Sequence, residues 1–333
     1  MKYFKLLVLI LIFSTSKAQE TNLLISQQLI SNLSETSDSW RITEVVNDEI
    51  VWKERFKYLD NIDIYKITYL SDGLKINGFL AKPKKKGKYP CVIYNRGGNR
   101  EFGSISIVSA AIGLGQISKE GYVVIASQYR GNGGSEGKEE FGGEDVNDVT
   151  ILTEVLKEIE VADTNRIGMY GWSRGGMMTY IALTKTKKIK AAVVGGAPSD
   201  ETIIDRPRME TNVYAELIPN YANNKEIELE KRSAIKWVDK FPKDVPILML
   251  HGNSDWRVKP EQSLTLALEF EKNRIPYRLI MFEGGDHGIS EHKEEVNEQV
   301  LKWFDGRTVF WCGIVAAHRG WDLCTLWGRI FRL

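Results

Sequence analysis

Six short apolar runs, separated by stretches with helical spacing, constrain the fold of this chain more than any other feature. We predict strands at residues 89–94, 122–127, 166–171, 190–195, 246–251 and 277–282. Between them, apolar residues repeat at helical spacing from 146 to 159, and Pro260 begins a second helix that continues to about Lys272. This alternation predicts an α/β fold with a mostly parallel central sheet and helices on both faces.

Two segments depart from the alternation. Apolar runs at 64–70 and 76–81 flank Asp72-Gly73, which predicts a β-hairpin ahead of the parallel strands. Residues 199–243 form a charged insertion between two strands. Because open α/β sheets bind ligands at the carboxyl ends of their strands, we interpret this insertion as a small cap over that edge.

The two ends of the chain differ in composition from its centre. Lys2 and Lys5 precede an apolar run at 6–13, and Ser16 and Ala18 are small residues at the spacing of a cleavage site. This pattern predicts a signal peptide at 1–18, and therefore an exported, periplasmic or extracellular protein. Eight apolar residues cannot span a bilayer, so we expect no membrane span after cleavage.

The rest of the domain organisation follows from these boundaries. Residues 19–61 are an N-terminal extension that looks helical in places, for instance from 23 to 33, and the main α/β domain covers 62–305. Residues 306–333 are rich in Trp, contain Cys312 and Cys324, and have Asp322 as their only acidic residue. We interpret this last segment as an atypical tail.

Composition excludes several classes of function. The chain has 45 Lys and Arg against 44 Asp and Glu, so no basic excess points to nucleic acid. Three cysteines do not make a disulfide framework. Neither H-E-x-x-H nor a P-loop occurs, so we expect no metal and no cofactor. The expected partner is a small molecule or short peptide, and the oligomeric state is left open.

Two segments match the pattern G-x-S-x-G, at 133–137 and at 171–175. A nucleophile elbow needs a strand that leads directly into a helix, because that turn lifts the serine Oγ above the sheet. Ser173 follows a predicted strand and precedes a predicted helix, whereas Ser135 has flanks typical of a loop. We therefore predict that Ser173 is a nucleophile and that Ser135 is structural.

A serine nucleophile needs a base and an acidic partner for that base. Among the four histidines, His287 lies in a glycine-rich loop after the last strand, where this chain order places the base. His251 ends a strand, and we interpret it as a residue that packs or hydrogen-bonds the following turn. Asp255 follows the strand before the last, so we predict a triad of Ser173, Asp255 and His287. Asp286 is interpreted as a turn former.

Other residues around these segments are candidates for binding. The backbone N–H of Arg174 and those of Gly97 and Gly98 are candidate oxyanion donors. Arginines and aromatic residues near the motifs and in the insertion could bind a carboxylate or stack on a ring. The substrate-binding candidates are Arg96, Trp172, Arg206, Arg208 and Trp256, with Tyr214, Tyr221 and Trp237 as further aromatic residues of the insertion.

Four segments carry a family resemblance: residues 129–135 (YRGNGGS), 171–176 (GWSRGG), 251–258 (HGNSDWRV) and 284–288 (GGDHG). Together they resemble the catalytic domain of the prolyl oligopeptidase family, close to its dipeptidyl-aminopeptidase and acylaminoacyl-peptidase branch. The resemblance covers about residues 62–305 and implies an α/β-hydrolase fold with peptidase or esterase chemistry through the same triad.

The sequence departs from the family pattern in three places. Relatives usually carry an N-terminal β-propeller, whereas here only residues 1–61 precede the catalytic domain. Relatives place Tyr or His before the paired glycines, whereas this chain has Arg96, so a side-chain hydroxyl donor is missing there. The segment after Asp305 does not resemble the C-terminal end that this domain usually has in relatives.

These observations lead to one main hypothesis and two alternatives. The main hypothesis is a secreted serine hydrolase that cleaves short peptides through an acyl-enzyme intermediate. The first alternative is a carboxylesterase acting on small or carbohydrate esters, because the core motifs do not separate the two activities. The second is a catalytically silent binding protein on the same scaffold, against which the complete triad argues.

Overall fold

A nine-stranded sheet forms the centre of the computed structural model, which describes residues 22–308. The strands of the described residues are β1 Leu24–Leu29, β2 Thr43–Val46, β3 Glu49–Trp52, β4 Ile62–Ser71, β5 Leu74–Pro83, β6 Tyr89–Asn95, β7 Val123–Ser127, β8 Ala162–Trp172, β9 Ile189–Gly195, β10 Ile247–Gly252 and β11 Tyr277–Phe282. β2 and β3 form a separate two-stranded sheet. The order of the other nine is β1-β4-β5-β7-β6-β8-β9-β10-β11, and the six strands from β7 to β11 in this order are parallel. The predicted parallel sheet is therefore confirmed.

Helices cover both faces of this sheet. They are α1 Ile107–Ser118, α2 Asn147–Thr150, α3 Leu152–Val155, α4 Arg174–Lys185, α5 Pro207–Met209, α6 Ala215–Leu217, α7 Tyr221–Lys231, α8 Glu261–Asn273 and α9 Lys293–Thr308. Side chains of α4 and α8 belong to one buried apolar cluster, and those of α1 and α9 to the other. The sheet is thus buried on both sides, which explains why its parallel strands read as continuous apolar runs.

Shorter helical turns connect these elements. The 3-10 turns are Leu33–Glu35, Ser39–Arg41, Glu54–Asn61, Glu144–Val146, Leu156–Glu158, Ala234–Lys240 and Ser290–His292, and Glu210–Tyr214 is a π-helical turn. The predicted helix at 146–159 is divided into α2, α3 and the 3-10 turns that flank them, but its apolar positions are all buried. The periodicity therefore predicted the buried face correctly and missed the subdivision.

The predicted hairpin lies between β4 and β5. Asp72 and Gly73 have φ values of 50° and 80°, as a two-residue turn of type I′ requires, and Ser71 pairs with Leu74. β5 pairs antiparallel with β7, so the hairpin extends the parallel sheet at one edge.

The helical interpretation of residues 23–33 is wrong. This segment forms strand β1, which pairs antiparallel with β4 and occupies the edge of the sheet. The Leu23 and Leu24 N–H groups also donate to the carboxylate of Glu158. Hydrogen bonds to an existing strand outweigh a weak helical preference here, and part of the N-terminal extension therefore belongs to the sheet.

The insertion at 199–243 is built from α5, α6, α7 and the turns around them. Tyr214, Tyr221 and Trp237 are buried within it, where Tyr214 packs on Phe141 and Trp237 stacks on Phe241. These aromatic residues therefore stabilise the insertion. The predicted signal peptide, Cys312, Cys324 and the tail beyond residue 308 lie outside the described residues. Within residues 22–308, no helix has the length and apolarity needed to cross a membrane.

Candidate active site

Ser173 is the only residue between the end of β8 and the start of α4. Its φ of 56° and ψ of −127° lie in a region that non-glycine residues rarely adopt. The Gly176 N–H donates to the Ser173 carbonyl at 2.8 Å, which begins the helix directly at the serine. The sequence predicted this turn, and its strained backbone is typical of a nucleophile elbow.

The glycines around Ser173 allow this close crossing of strand and helix. A Cβ atom on Gly175 would lie 2.0 Å from the Asn95 carbonyl oxygen, and one on Gly171 would lie 2.0 Å from that of Gly175. Backbone atoms cannot give way as a flexible side chain can, so the two positions exclude any residue with a Cβ.

Asp255 and His287 lie together as the sequence analysis predicts. Asp255 is buried in the loop after β10, and its Oδ2 is 2.7 Å from the Nδ1 of His287. Its Oδ1 accepts the N–H groups of Arg257 at 2.8 Å and Val258 at 3.0 Å. Burial alone would raise the pKa of Asp255, but hydrogen bonds from His251, His287 and Val258 hold it well below its usual value. The carboxylate is therefore charged and oriented at neutral pH.

His251 also contacts this carboxylate. It is buried, with its Nδ1 2.6 Å from Ser263 Oγ and its Nε2 2.9 Å from the Val258 carbonyl and 3.3 Å from Asp255 Oδ2. The sequence analysis predicted that His251 packs or hydrogen-bonds the turn, which agrees with its bond to the Val258 carbonyl, but it missed the contact with Asp255. Asp255 follows His251 by four positions in the chain, which was the available signal.

Ser173 and His287 line one cleft of about 370 Å³. The His287 ring lies against Gly196, where a Cβ atom would be 3.3 Å from two of its ring atoms. The Trp172 indole Nε1 donates to the His287 carbonyl at 2.8 Å, so the residue before the nucleophile also fixes the loop of the base. The candidate nucleophile and its candidate base thus line the same cleft.

Two of the candidate oxyanion donors, Gly97 and Gly98, line this cleft. Gly97 is so close to the nucleophile that a Cβ atom on it would lie 3.2 Å from Ser173 Cβ. Gly98 has a φ of 74°, and a Cβ there would lie 2.1 Å from the Phe102 carbonyl. Arg174 begins α4, so its N–H belongs to the positive end of a helix. Together these groups can bind a developing negative charge beside Ser173.

The structure contradicts the prediction for Arg96. Its side chain is 2% exposed, and its guanidinium donates to the backbone carbonyls of Gly97, Arg100, Phe102 and Gln128. The chain from 97 to 103 folds back around this group and uses its donors. Arg96 therefore stabilises the loop and has no free donors to offer a substrate.

The other residues predicted to bind substrate lie in different parts of the structure. Trp172 lines the cleft, and Trp256 is 71% exposed and lies against Arg257, which also lines the cleft. Arg206 lies with Glu201 and Tyr214 around a neighbouring cavity of about 20 Å³, which shares Arg257 with the cleft, and Arg208 is exposed on α5. Neither arginine lines the cleft beside Ser173, so their role in substrate binding stays a prediction.

Two side chains that the sequence analysis did not select border the cleft. Arg257 lines it beside Ser173 and His287, and its guanidinium lies 5.3 Å from the ring centroid of Trp256. Phe102 also lines it and is 68% exposed. The position of Arg257 two residues after Asp255 was a usable signal, whereas nothing in the sequence indicated the direction of Phe102.

Ser135 lies in a loop, as predicted. Its Oγ accepts the Asn77 N–H at 3.0 Å, and its own N–H donates to the Asn132 carbonyl at 2.9 Å. Glu136 continues the contact by donating its N–H to the Lys75 carbonyl. The segment therefore connects a loop to strand β5.

The sequence is similar to those of known proteins. A sequence model described as the prolyl oligopeptidase family matches residues 113–308. The uncharacterized peptidase YtmA of Bacillus subtilis is 28% identical over 262 residues, which are 78% of this chain and 100% of that protein. Dipeptidyl-peptidase 5 of Porphyromonas gingivalis is 25% identical over 66% of this chain, but the match spans only 34% of that protein.

Solved structures show the same fold. The acylaminoacyl peptidase of Pyrococcus horikoshii superposes with a TM-score of 0.63 over 81% of this chain and 47% of that one, at 22% identity. A putative dipeptidyl aminopeptidase IV of Bacteroides ovatus superposes with a TM-score of 0.66 over 77% of this chain and 37% of that one. The chain thus spans less than half of these two structures, and the similarity supports its α/β-hydrolase architecture.

Proposed function

Because this chain belongs to the prolyl oligopeptidase family and is a serine hydrolase, we propose that it cleaves peptide bonds through an acyl-enzyme formed on Ser173. The observation that carries this proposal is a single cleft lined both by Ser173, at a strand-to-helix turn, and by a histidine that is hydrogen-bonded to a buried carboxylate. A serine hydroxyl becomes a useful nucleophile at neutral pH only with such a base.

Each residue of the triad has a role in the proposed mechanism. His287 takes the proton of Ser173 Oγ as the oxygen attacks the scissile carbonyl, and Asp255 stabilises the resulting imidazolium through Nδ1. The backbone N–H groups at Arg174 and at the Gly97-Gly98 turn bind the oxyanion. His287 then gives its proton to the leaving amine, and a water molecule activated by the same histidine releases the product acid.

The rim of the cleft supports a preference for short substrates with an anionic group. Arg257 is exposed beside Ser173 and His287 and lies over the Trp256 ring, so it can bind a carboxylate without a large rearrangement. Phe102, also exposed, offers an apolar surface in the same cleft. We assign to Arg257 the anion-binding role that the sequence analysis gave to Arg206 and Arg208.

The test is to label the protein with a fluorophosphonate and to measure kcat/KM on matched peptide and ester substrates, each with and without a carboxylate. We expect label on Ser173, peptide cleavage, and a lower ratio of anionic to neutral turnover in Arg257→Ala. Arg208→Ala is the matched control and should leave that ratio unchanged. Ester turnover without peptide turnover would favour the carboxylesterase, and no label with no turnover would favour a binding protein.

Export is a separate proposal, supported by the charge, apolar run and small residues of the first 18 positions. Expression of the full chain in a bacterium with two membranes should yield a periplasmic product that begins near Gln19. A cytoplasmic product that retains residues 1–18 would contradict it.

A further inference from the structure

The side chain of Arg174, the residue after the nucleophile, enters a buried cluster of charges. It is 2% exposed, and its Nη1 donates to the Gly98 carbonyl at 3.1 Å and to the carboxylate of Glu139. Its Nη2 donates to Asp145 Oδ2 at 2.6 Å. The guanidinium therefore joins α4 to the turn that contains the candidate oxyanion donors.

Glu139 binds the same turn from its other end. Its Oε1 accepts from Arg174, and its Oε2 accepts the backbone N–H of Arg100 at 2.7 Å. The turn from 97 to 100 is thus held at the Gly98 carbonyl and at the Arg100 N–H by two side chains that are bonded to each other. Both side chains are buried, so water does not compete for these bonds.

Tyr129 adds a third connection. Two guanidinium groups, those of Arg96 and Arg174, each lie 5.0 Å from its ring centroid. Its hydroxyl donates to the Arg96 carbonyl at 2.9 Å, immediately before Gly97. Its φ of 67° is uncommon for a residue with a large side chain, so the surrounding contacts hold it in place.

Stability alone does not account for such a cluster. Removing charged groups from water is costly, and well-packed apolar residues often replace a buried ion pair without loss of stability. What the charged groups provide is fixed geometry, because each hydrogen bond specifies a distance and a direction between the turn and α4. An oxyanion site needs that precision, since its donors must meet an atom that exists only during the reaction.

We propose that Arg174 is a positioning residue as well as a candidate oxyanion donor. Its side chain, with Glu139, holds the Gly97–Arg100 turn at a fixed distance from Ser173, while its backbone N–H contributes to the same site. Arg174 then determines the positions of both groups of donors in the oxyanion site, its own backbone N–H and those of the turn. This inference rests on the proposed function, because it assumes that the turn binds the oxyanion.

The test compares Glu139→Gln and Arg174→Met with Arg130→Met. Arg130 is a matched control, because it is also buried and paired with a carboxylate, Asp148, but does not contact the turn. We expect kcat to fall about 10²-fold in the first two variants while KM changes less than about twofold, since a small misplacement of a catalytic group has this effect. Arg130→Met should lower the melting temperature and leave kcat within about twofold. Arg174→Lys should recover part of the kcat lost in Arg174→Met.

A second measurement does not depend on turnover. In Glu139→Gln, amide hydrogen exchange in a peptide covering residues 97–103 should become at least about tenfold faster, while exchange in α8 stays unchanged. Unchanged exchange, or a kcat that falls equally in Arg130→Met, would overturn the positioning role. If the wild-type protein neither reacts at Ser173 nor turns over substrate, the proposed function fails, and the exchange experiment still decides whether Arg174 and Glu139 fix the turn.

Discussion

The two segments that match G-x-S-x-G have the same spacing and opposite structures. Residues 171–175 join β8 to α4, and their first and last glycines exclude side chains because strand and helix backbones cross within contact distance. Residues 133–137 form a loop beside β5, and their three glycines have φ values of 55°, 77° and 84°. Glycine thus provides close approach in one segment and left-handed backbone in the other.

The serines differ in the same way. Ser173 lines a cleft with a histidine that is bonded to a buried carboxylate, whereas the Ser135 hydroxyl accepts a backbone N–H of β5. A pattern of five residues therefore specifies a spacing but not a chemical role. The elements on either side of it decide whether the serine faces a base or a neighbouring strand.

The largest expected difference between the two segments is in turnover. Ser173→Ala should lower kcat on the order of 10⁶-fold, because it removes the nucleophile of the proposed acyl-enzyme. Ser135→Ala should keep most of the wild-type kcat. Steady-state kinetics on one peptide substrate measures kcat for both variants. An active Ser173→Ala together with an inactive Ser135→Ala would show that the roles of the two serines are the reverse of those assigned.

A smaller but still large effect is expected from the acid of the triad. Asp255→Asn should reduce kcat about 10⁴-fold, because an amide at this position favours the wrong tautomer of the histidine. Asp286→Asn is the control beside His287, since Asp286 is exposed to solvent on one side and accepts the N–H groups of Gly288 and Ser290 in the turn. It should keep kcat within about tenfold, and an equal loss in both variants would contradict the assignment of the acid.

The glycines give the third test, on stability. Gly175→Ala places a Cβ atom 2.0 Å from a backbone oxygen, so we expect a loss of several kcal/mol or no soluble protein. Gly134→Ala meets its nearest atom, Asn77 Nδ2, at 3.2 Å, and its cost is that of a left-handed backbone, about 1–2 kcal/mol. Denaturant unfolding compares the two, and similar losses would show that the glycines act alike.

The parts of the fold that were predictable from the sequence are those with repeating local signals. The six parallel strands and the turn at Asp72-Gly73 could be predicted because burial on both faces and a positive φ restrict the residues that fit. Strand β1 could not, because an edge strand with mostly exposed side chains has little apolar pattern and forms through its pairing with β4.

The sequence predicted where the backbone places the residues of the candidate site, but it predicted the directions of their side chains less well. Ser173, Asp255 and His287 each come after the end of a strand, and the order of the strands along the chain made these positions predictable. Arg96 and Arg257 are both arginines beside the motifs, yet one guanidinium turns inward to backbone carbonyls and the other remains exposed at the cleft. The direction of a long side chain depends on the loop around it, which the sequence does not specify.

The smallest effect concerns the role of Ser135 itself. Ser135→Ala removes the acceptor of the Asn77 N–H, a hydrogen bond of 3.0 Å in a partly buried position. Since water can reach part of this site, the expected cost is about 1 kcal/mol, which corresponds to a melting temperature lower by about 2 °C for a chain of this size. Ser135→Thr keeps the hydroxyl and should recover most of this loss. Calorimetry measures both variants. If both melt at the wild-type temperature, the hydroxyl does not stabilise the contact between this loop and β5, and only its glycines would distinguish this segment from any other turn.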